Sequence, residues 1–289
     1  MVLGDKMVSA KELKSIDLTS YTINMTAISV IFSILFALFV TLSIGIYSPQ
    51  NIGASIYLIS TIIVGTFMFS IYNFFCEGLL YNLLTKKLNN IQVIFGDNGE
   101  ILKINSSQTA TIIAIILTIQ AILLYLVSVF ILPLVLNATI QTLILSGQQM
   151  AALGLYQIMA LISQPIVILL FIFGCLIISF VYILLGCYVY NILARKGRLI
   201  ELGLSKENNL TAIDSIDPKK FAIVFSIICL VLNIITAIIS IMSGGTIQGA
   251  IFQVIGSFVV GFIFGLLFTI LYNYTASKTE KIKLELIDI

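Results

Sequence analysis

The chain has 289 residues, 60% of them hydrophobic, and 15 Lys and Arg against 13 Asp and Glu, for a net charge of +2. It has no His, no Trp and four Cys. This composition excludes a concentrated basic nucleic-acid surface, a His-based relay or metal site, and a disulfide framework, and it points to lipid as the solvent.

Every ionic side chain falls within residues 1–21, 77–109, 194–220 or 275–289. Charge stays out of hydrocarbon, and about 20 apolar residues cross a bilayer core of roughly 30 Å. The apolar runs therefore predict six spans: 23–47, 55–84, 110–136, 164–193, 221–242 and 247–274. Unpaired backbone groups are costly in lipid, so these runs are helical. The connections 48–54, 137–163 and 243–246 carry no charge and are expected outside. The Lys and Arg of the other face make it cytoplasmic by the positive-inside rule, with both termini on that side. The leader, with Lys6, Lys11 and Lys14, lacks an apolar run and cleavage site, so no signal peptide is expected.

Sliding the chain against itself reveals a repeat. Its anchors are Tyr81-Asn82, Tyr190-Asn191 and Tyr272-Asn273. A glycine precedes each Tyr by sixteen residues (Gly65, Gly174, Gly256), and a small residue precedes it by eleven (Ser70, Ser179, Gly261). A lysine follows by six (Lys87, Lys196, Lys278), then alternating apolar residues: Ile91, Val93, Phe95; Ile200, Leu202, Leu204; Ile282, Leu284, Leu286. Each copy opens on Ile16-Asp17, Ile104-Asn105 or Ile216-Asp217, where Asp or Asn suits a helix N-cap, and Pro218 suits a first turn. The period-two tails predict strands. Residues 90–104 around Gly96-Asp97-Asn98-Gly99 predict a β-hairpin.

The expected fold is an all-α membrane protein: six transmembrane helices as three tandem hairpins in a pseudo-threefold arrangement, with short cytoplasmic β-strands. Its parts are a leader at 1–13, repeats at 14–95, 96–204 and 205–289, and a longer outer loop at 137–163 that suits a short interfacial helix. The small residues inside the second helices are expected at helix contacts. The pairing of the strands is not readable.

Candidates for chemistry are few. Cys76, Cys175, Cys187 and Cys229 lie in apolar spans without metal-ligand spacing, so neither metal nor cofactor is expected, and catalysis is not indicated. Glu77 is the one carboxylate within an apolar run, either at the water interface or buried against a Tyr, Asn or Ser. Tyr81, Tyr190 and Tyr272 suit interfacial anchors, with Asn82, Asn191 and Asn273 bonding the turn into the strand. The sharper alternative gathers the three Asn around an axis as the mouth of a path. Lys87, Lys196 and Lys278 suit contacts with anionic headgroups.

An Ile-Asp start, two spans, a Tyr-Asn pair and an alternating strand together resemble an uncharacterised prokaryotic family of two-helix transmembrane domains, here in three copies over residues 14–286. Where that family carries Gly-Gly before the strand, this chain reads Leu88-Asn89-Asn90, Gly197-Arg198-Leu199 and Thr279-Glu280-Lys281. The resemblance implies a fold and no activity. Two functions are compatible with these features. One is a non-enzymatic scaffold or accessory protein that displays a cytoplasmic β platform to a protein or lipid partner. The other is a small channel or transporter along the pseudo-threefold axis. No nucleic-acid partner is expected.

Overall fold

A computed structural model describes residues 9–47, 49, 52–162 and 164–289. Most of the leader, Lys6 included, lies outside the described residues, as do 48, 50–51 and 163.

The helices are α1 (Leu18–Tyr47), α2 (Ile52–Leu84), α3 (Ser106–Leu145), α4 (Gln149–Ile162), α5 (Pro165–Arg195), α6 (Pro218–Met242) and α7 (Ile247–Lys278). Six of them, all but α4, are long and apolar enough to cross a membrane, which marks a multi-pass membrane protein. Three begin on the residues expected to cap them. Asp17 Oδ1 accepts from Ser20 N at 2.8 Å, Asn105 Oδ1 from Gln108 N at 3.3 Å, and Asp217 Oδ1 from Lys220 N at 2.9 Å. Each bond satisfies one of the four orphan amides of a helix start.

The helix of the third span does not end at residue 136. Nothing between Pro133 and Leu145 breaks a helix, and α3 runs on until Gly147 turns the chain at φ +79°. The expected outer loop is therefore the end of α3 followed by α4.

The chain forms two compact units, residues 1–109 with 184–289, and residues 110–183. In the second, α4 folds beside the end of α3 around a cavity of about 470 Å³ lined by Ile140, Ile144, Ala152 and Tyr156, and the rings of Tyr125 and Phe171 meet at 6.3 Å. In the first, α1 packs along α2 and α6 along α7. The α6/α7 crossing is tight: a Cβ built on Gly265 lies 3.1 Å from Ala222 Cα, and one on Gly261 lies 3.2 Å from Ser226 Cα. Small residues four apart on both helices permit this approach. The glycines sixteen before each Tyr were expected at such contacts and are not there. A Cβ on Gly65, Gly174 or Gly256 meets nothing within 4 Å among the described residues. Gly261, the small residue eleven before Tyr272, does stand at such a contact, as do Gly78 and Gly265.

The strands are β1 (Ser9–Ile16), β2 (Ile91–Phe95), β3 (Ile101–Ile104), β4 (Leu202–Glu207), β5 (Leu210–Ile216) and β6 (Lys283–Asp288). They form one antiparallel sheet in the order β3-β2-β1-β6-β5-β4. Its outer strands also meet. Ile101 N donates to Ile200 O at 2.9 Å and Leu202 N to Gly99 O at 3.1 Å, with Glu100 opposite Glu201. The sheet thus closes on itself as a six-stranded ring, which removes most of its edge. The expected hairpin is β2–β3, with Gly99 at φ +73°, and β4–β5 turns at Asn208, φ +57°, a region Asn tolerates. Strand period two sorts the ring's side chains onto two faces. One carries Leu13, Ile91, Val93, Ile213, Leu284 and Leu286. The other carries a polar belt: Glu12 with Gln92 at 2.9 Å, Lys14 with Glu285 at 2.7 Å, Lys283 with Glu207 at 3.2 Å and Lys281 with Asp214 at 2.8 Å.

Candidate functional site

The three Tyr-Asn pairs stand where helix meets ring, and each makes the same set of bonds. The hydroxyls of Tyr81, Tyr190 and Tyr272 donate to the carbonyls of Leu13 (2.5 Å), Ile101 (2.6 Å) and Ile213 (2.7 Å). Each also accepts from the N–H ten residues on, at Ile91, Ile200 and Ile282. One phenol thereby ties the strand leading into a repeat to the strand trailing out of it. The rings are only 3%, 2% and 1% exposed, so they are packed inside rather than held at a headgroup interface.

The neighbouring carboxamides complete the clamp. Asn82 Oδ1 accepts from Ile16 N and its Nδ2 donates to Ile16 O, both at 2.8 Å. Asn191 does the same to Ile104 at 2.9 and 2.8 Å, and Asn273 to Ile216 at 2.8 and 2.9 Å. A carboxamide presents a donor and an acceptor side by side, so it pairs with both backbone groups of one residue as a neighbouring strand would. The expected bond to the turn after the helix is replaced by this longer-range one. A third bond recurs at the caps: Asp17 N, Asn105 N and Asp217 N donate to Lys283 O, Gln92 O and Glu201 O at 2.9, 3.0 and 3.0 Å.

Glu77 is half-buried, and the Tyr21 hydroxyl hydrogen-bonds to it within the α1/α2 pair. Matching positions of the third repeat hold Phe221 and Phe268, whose rings stack at 5.9 Å. Glu77 and Tyr21 thus form a polar version of an aromatic contact. Lys87, Lys196 and Lys278 are exposed. The four cysteines are free and partly buried. Among the described residues no three His, Cys, Asp or Glu gather as a metal site.

The ring's polar belt sets its carboxylates. The Lys281 ammonium hydrogen-bonded to Asp214 holds that carboxyl below its usual value, Lys14 does the same for Glu285, and the Gln92 and Asn90 amides do it for Glu12.

Two further features carry no motif. Asn24, fully buried, accepts from Thr275 Oγ1 at 2.7 Å and donates to Glu280 O, which joins α1 to the end of α7. Aligning the repeats places Asn24 in one column with Ile112 and Val224, both 1% exposed, and that odd polar residue was the available signal. Between α6 and α7, Gln253 Nε2 donates to Thr236 Oγ1 at 2.9 Å and to Asn233 Oδ1 at 3.4 Å, an exposed polar cluster on apolar helices. Comparison with protein-family models, with curated proteins and with solved structures finds no match to this chain.

Proposed function

We propose that the protein is a non-enzymatic membrane scaffold whose β ring, held against the cytoplasmic face, is the platform for a protein or lipid partner. The observation that carries this reading is how the repeated polar residues are used. Both polar atoms of Asn82, Asn191 and Asn273 are engaged with Ile16, Ile104 and Ile216, so they supply rigidity and leave no carboxamide to line a path. The ring in turn offers a dense belt of charge outside the helices.

The recurrence of three kinds of bond at matched positions supports three tandem units related by rotation about the membrane normal, as in parallel-repeat membrane proteins. In this reading each unit's trailing strand pairs with the next unit's leading strand, and the third closes onto the first. Lys87, Lys196 and Lys278 then stand at one depth around the ring, each drawing anionic headgroups by about 1 kcal/mol. The resemblance to two-helix domains fits such a unit.

The channel reading predicts solute or ion flux through liposomes containing the purified chain, and its loss in a triple Asn82→Leu, Asn191→Leu, Asn273→Leu variant that still folds. The scaffold reading predicts no flux above protein-free liposomes. It also predicts a partner, co-purified in mild detergent, that is lost when the belt charges Lys281 and Lys283 are reversed. Flux with no such partner would overturn it.

A further inference from the structure

The ring is not level at its rim. Ile91 to Ile104 spans fewer residues than Ile200 to Ile216, so the β2–β3 ribbon turns back at residues 96–99 while β4 runs on to Glu207. A notch remains beside β4, with a cavity of about 700 Å³ lined by Ser9, Lys11, Phe95, Asp97, Asn98 and Leu204.

The direction of the backbone groups in that notch follows from strand geometry. Leu202 N donates across the closing seam to Gly99 O. With period two, Leu204 and Lys206 aim their N–H and C=O the same way, away from β5. The partner strand agrees, because Ile213, opposite Leu204, donates to the carbonyl of Ile282, just before β6. The β2–β3 ribbon has already turned, so beyond Leu202 no strand among the described residues pairs with β4 on that side. A strand edge of this kind is a template for another chain.

We propose that the notch receives an extended segment of a partner protein, which pairs backbone to backbone with Leu204 and Lys206 and seats an apolar side chain over Phe95 and Leu204. This is β-augmentation, in which main-chain bonds give affinity and alternate side-chain pockets give selectivity. An edge with outward N–H and C=O groups is completed by an extended strand and not by a helix, whose backbone groups are already paired. The proposal rests on the scaffold reading and names its partner's shape. Flux would sink the scaffold, whereas the experiment below sinks only the notch.

The probe is a phage-displayed library of short random peptides panned against the full chain in detergent micelles. The best binder is measured against wild type, Lys206→Pro and Lys206→Ala. A proline at Lys206 removes one outward N–H and leaves the β4–β5 ladder intact, as edge-strand prolines do. Lys206→Pro is expected to weaken binding about threefold to tenfold, and Lys206→Ala hardly at all. N-methylation of the peptide at alternate residues in one register is expected to weaken it similarly, and in the other register not. This second readout stands even if Lys206→Pro fails to fold. A panel yielding no binder, or binders indifferent to both changes, would overturn the proposal. So would binding that appears only after residues 2–8 are deleted, since the notch would then belong to the chain's own N-terminal residues.

Discussion

Two joints of the ring, β2–β3 and β4–β5, are made by short covalent turns, whereas β6–β1 joins strands with no short link between them. Between β2 and β3, and between β4 and β5, a turn of a few residues sets the register. Between β6 and β1 the two strands come from opposite ends of the chain and must find each other. The non-covalent joint carries extra polar contacts: Lys14 and Ser15 both bond Glu285 at 2.7 Å, and Lys283 N donates to Ser20 Oγ at 3.1 Å. Beneath it lies the buried Asn24–Thr275–Glu280 clasp. At the β4–β5 joint the matching position is Val224, packed in a purely apolar cluster with Tyr190 and Ala194. Apolar contact is non-directional and suffices where the chain already dictates register. A buried hydrogen bond is directional and penalises every wrong register by leaving its groups unpaired, which suits a joint whose partners lie 251 residues apart.

The largest test of that contrast is Asn24→Leu, which makes the first repeat resemble the other two. It leaves the Glu280 carbonyl without its carboxamide and the Thr275 hydroxyl with only the Tyr272 carbonyl, and about 1–3 kcal/mol of stability should be lost in denaturant titration of micelle-held protein. A loss under about 1 kcal/mol would erase the distinction between the joints. Next is a circular permutant that links Ile289 to Ser9 and opens the chain at Asn208-Asn209. With β6 and β1 now joined covalently, the Asn24→Leu cost should fall by about 1–2 kcal/mol, because wrong registers are no longer competitors. An undiminished cost would assign Asn24 to packing alone.

Tyr81→Phe, Tyr190→Phe and Tyr272→Phe should each cost about 1 kcal/mol, and equally, because the three hydroxyls do one job. A single dominant Tyr would break the equivalence. The paired change Tyr21→Phe with Glu77→Phe rebuilds the stacked contact of Phe221 and Phe268, and should stay within about 1 kcal/mol of wild type while each single change costs more. Loss of partner binding in that folded double variant would instead give Glu77 a functional role.

The smallest effect concerns acid. Asp214, Glu285 and Glu12 have carboxyl values below the ordinary range of about 4. Their contribution is fully present above the unfolded value and fades as pH falls through the depressed folded values. Melting in micelles should be flat from neutral pH down to about 5 and should weaken only below it. Lys14→Met should change that acid limb by well under about 1 kcal/mol, as for a surface pair.

The sequence made some of this legible and hid the rest for physical reasons. Charge sorting located the six apolar helices because hydrocarbon excludes ions. The caps at Asp17, Asn105 and Asp217 were legible because capping is a local side-chain property. The role of the Tyr-Asn pairs was hidden, since their partners are backbone groups of Leu13, Ile101, Ile213 and the three Ile residues, and backbone leaves no signature in residue identity. The strand order was hidden for the same reason. Gly65 and Gly256 misled because a glycine in a lipid-facing stretch reads like one at a contact, and only coordinates separate the two.

A closed ring also counts. The girth of a barrel rises with strand number, so another helix pair with its two strands could not join the ring without enlarging it. It would have to be spliced into a circle of eight, with wider spacing beneath every helix. Deleting a pair would leave four strands, too tight to hold side chains. The arithmetic of closure, more than any one contact, fixes how many copies such a chain can carry.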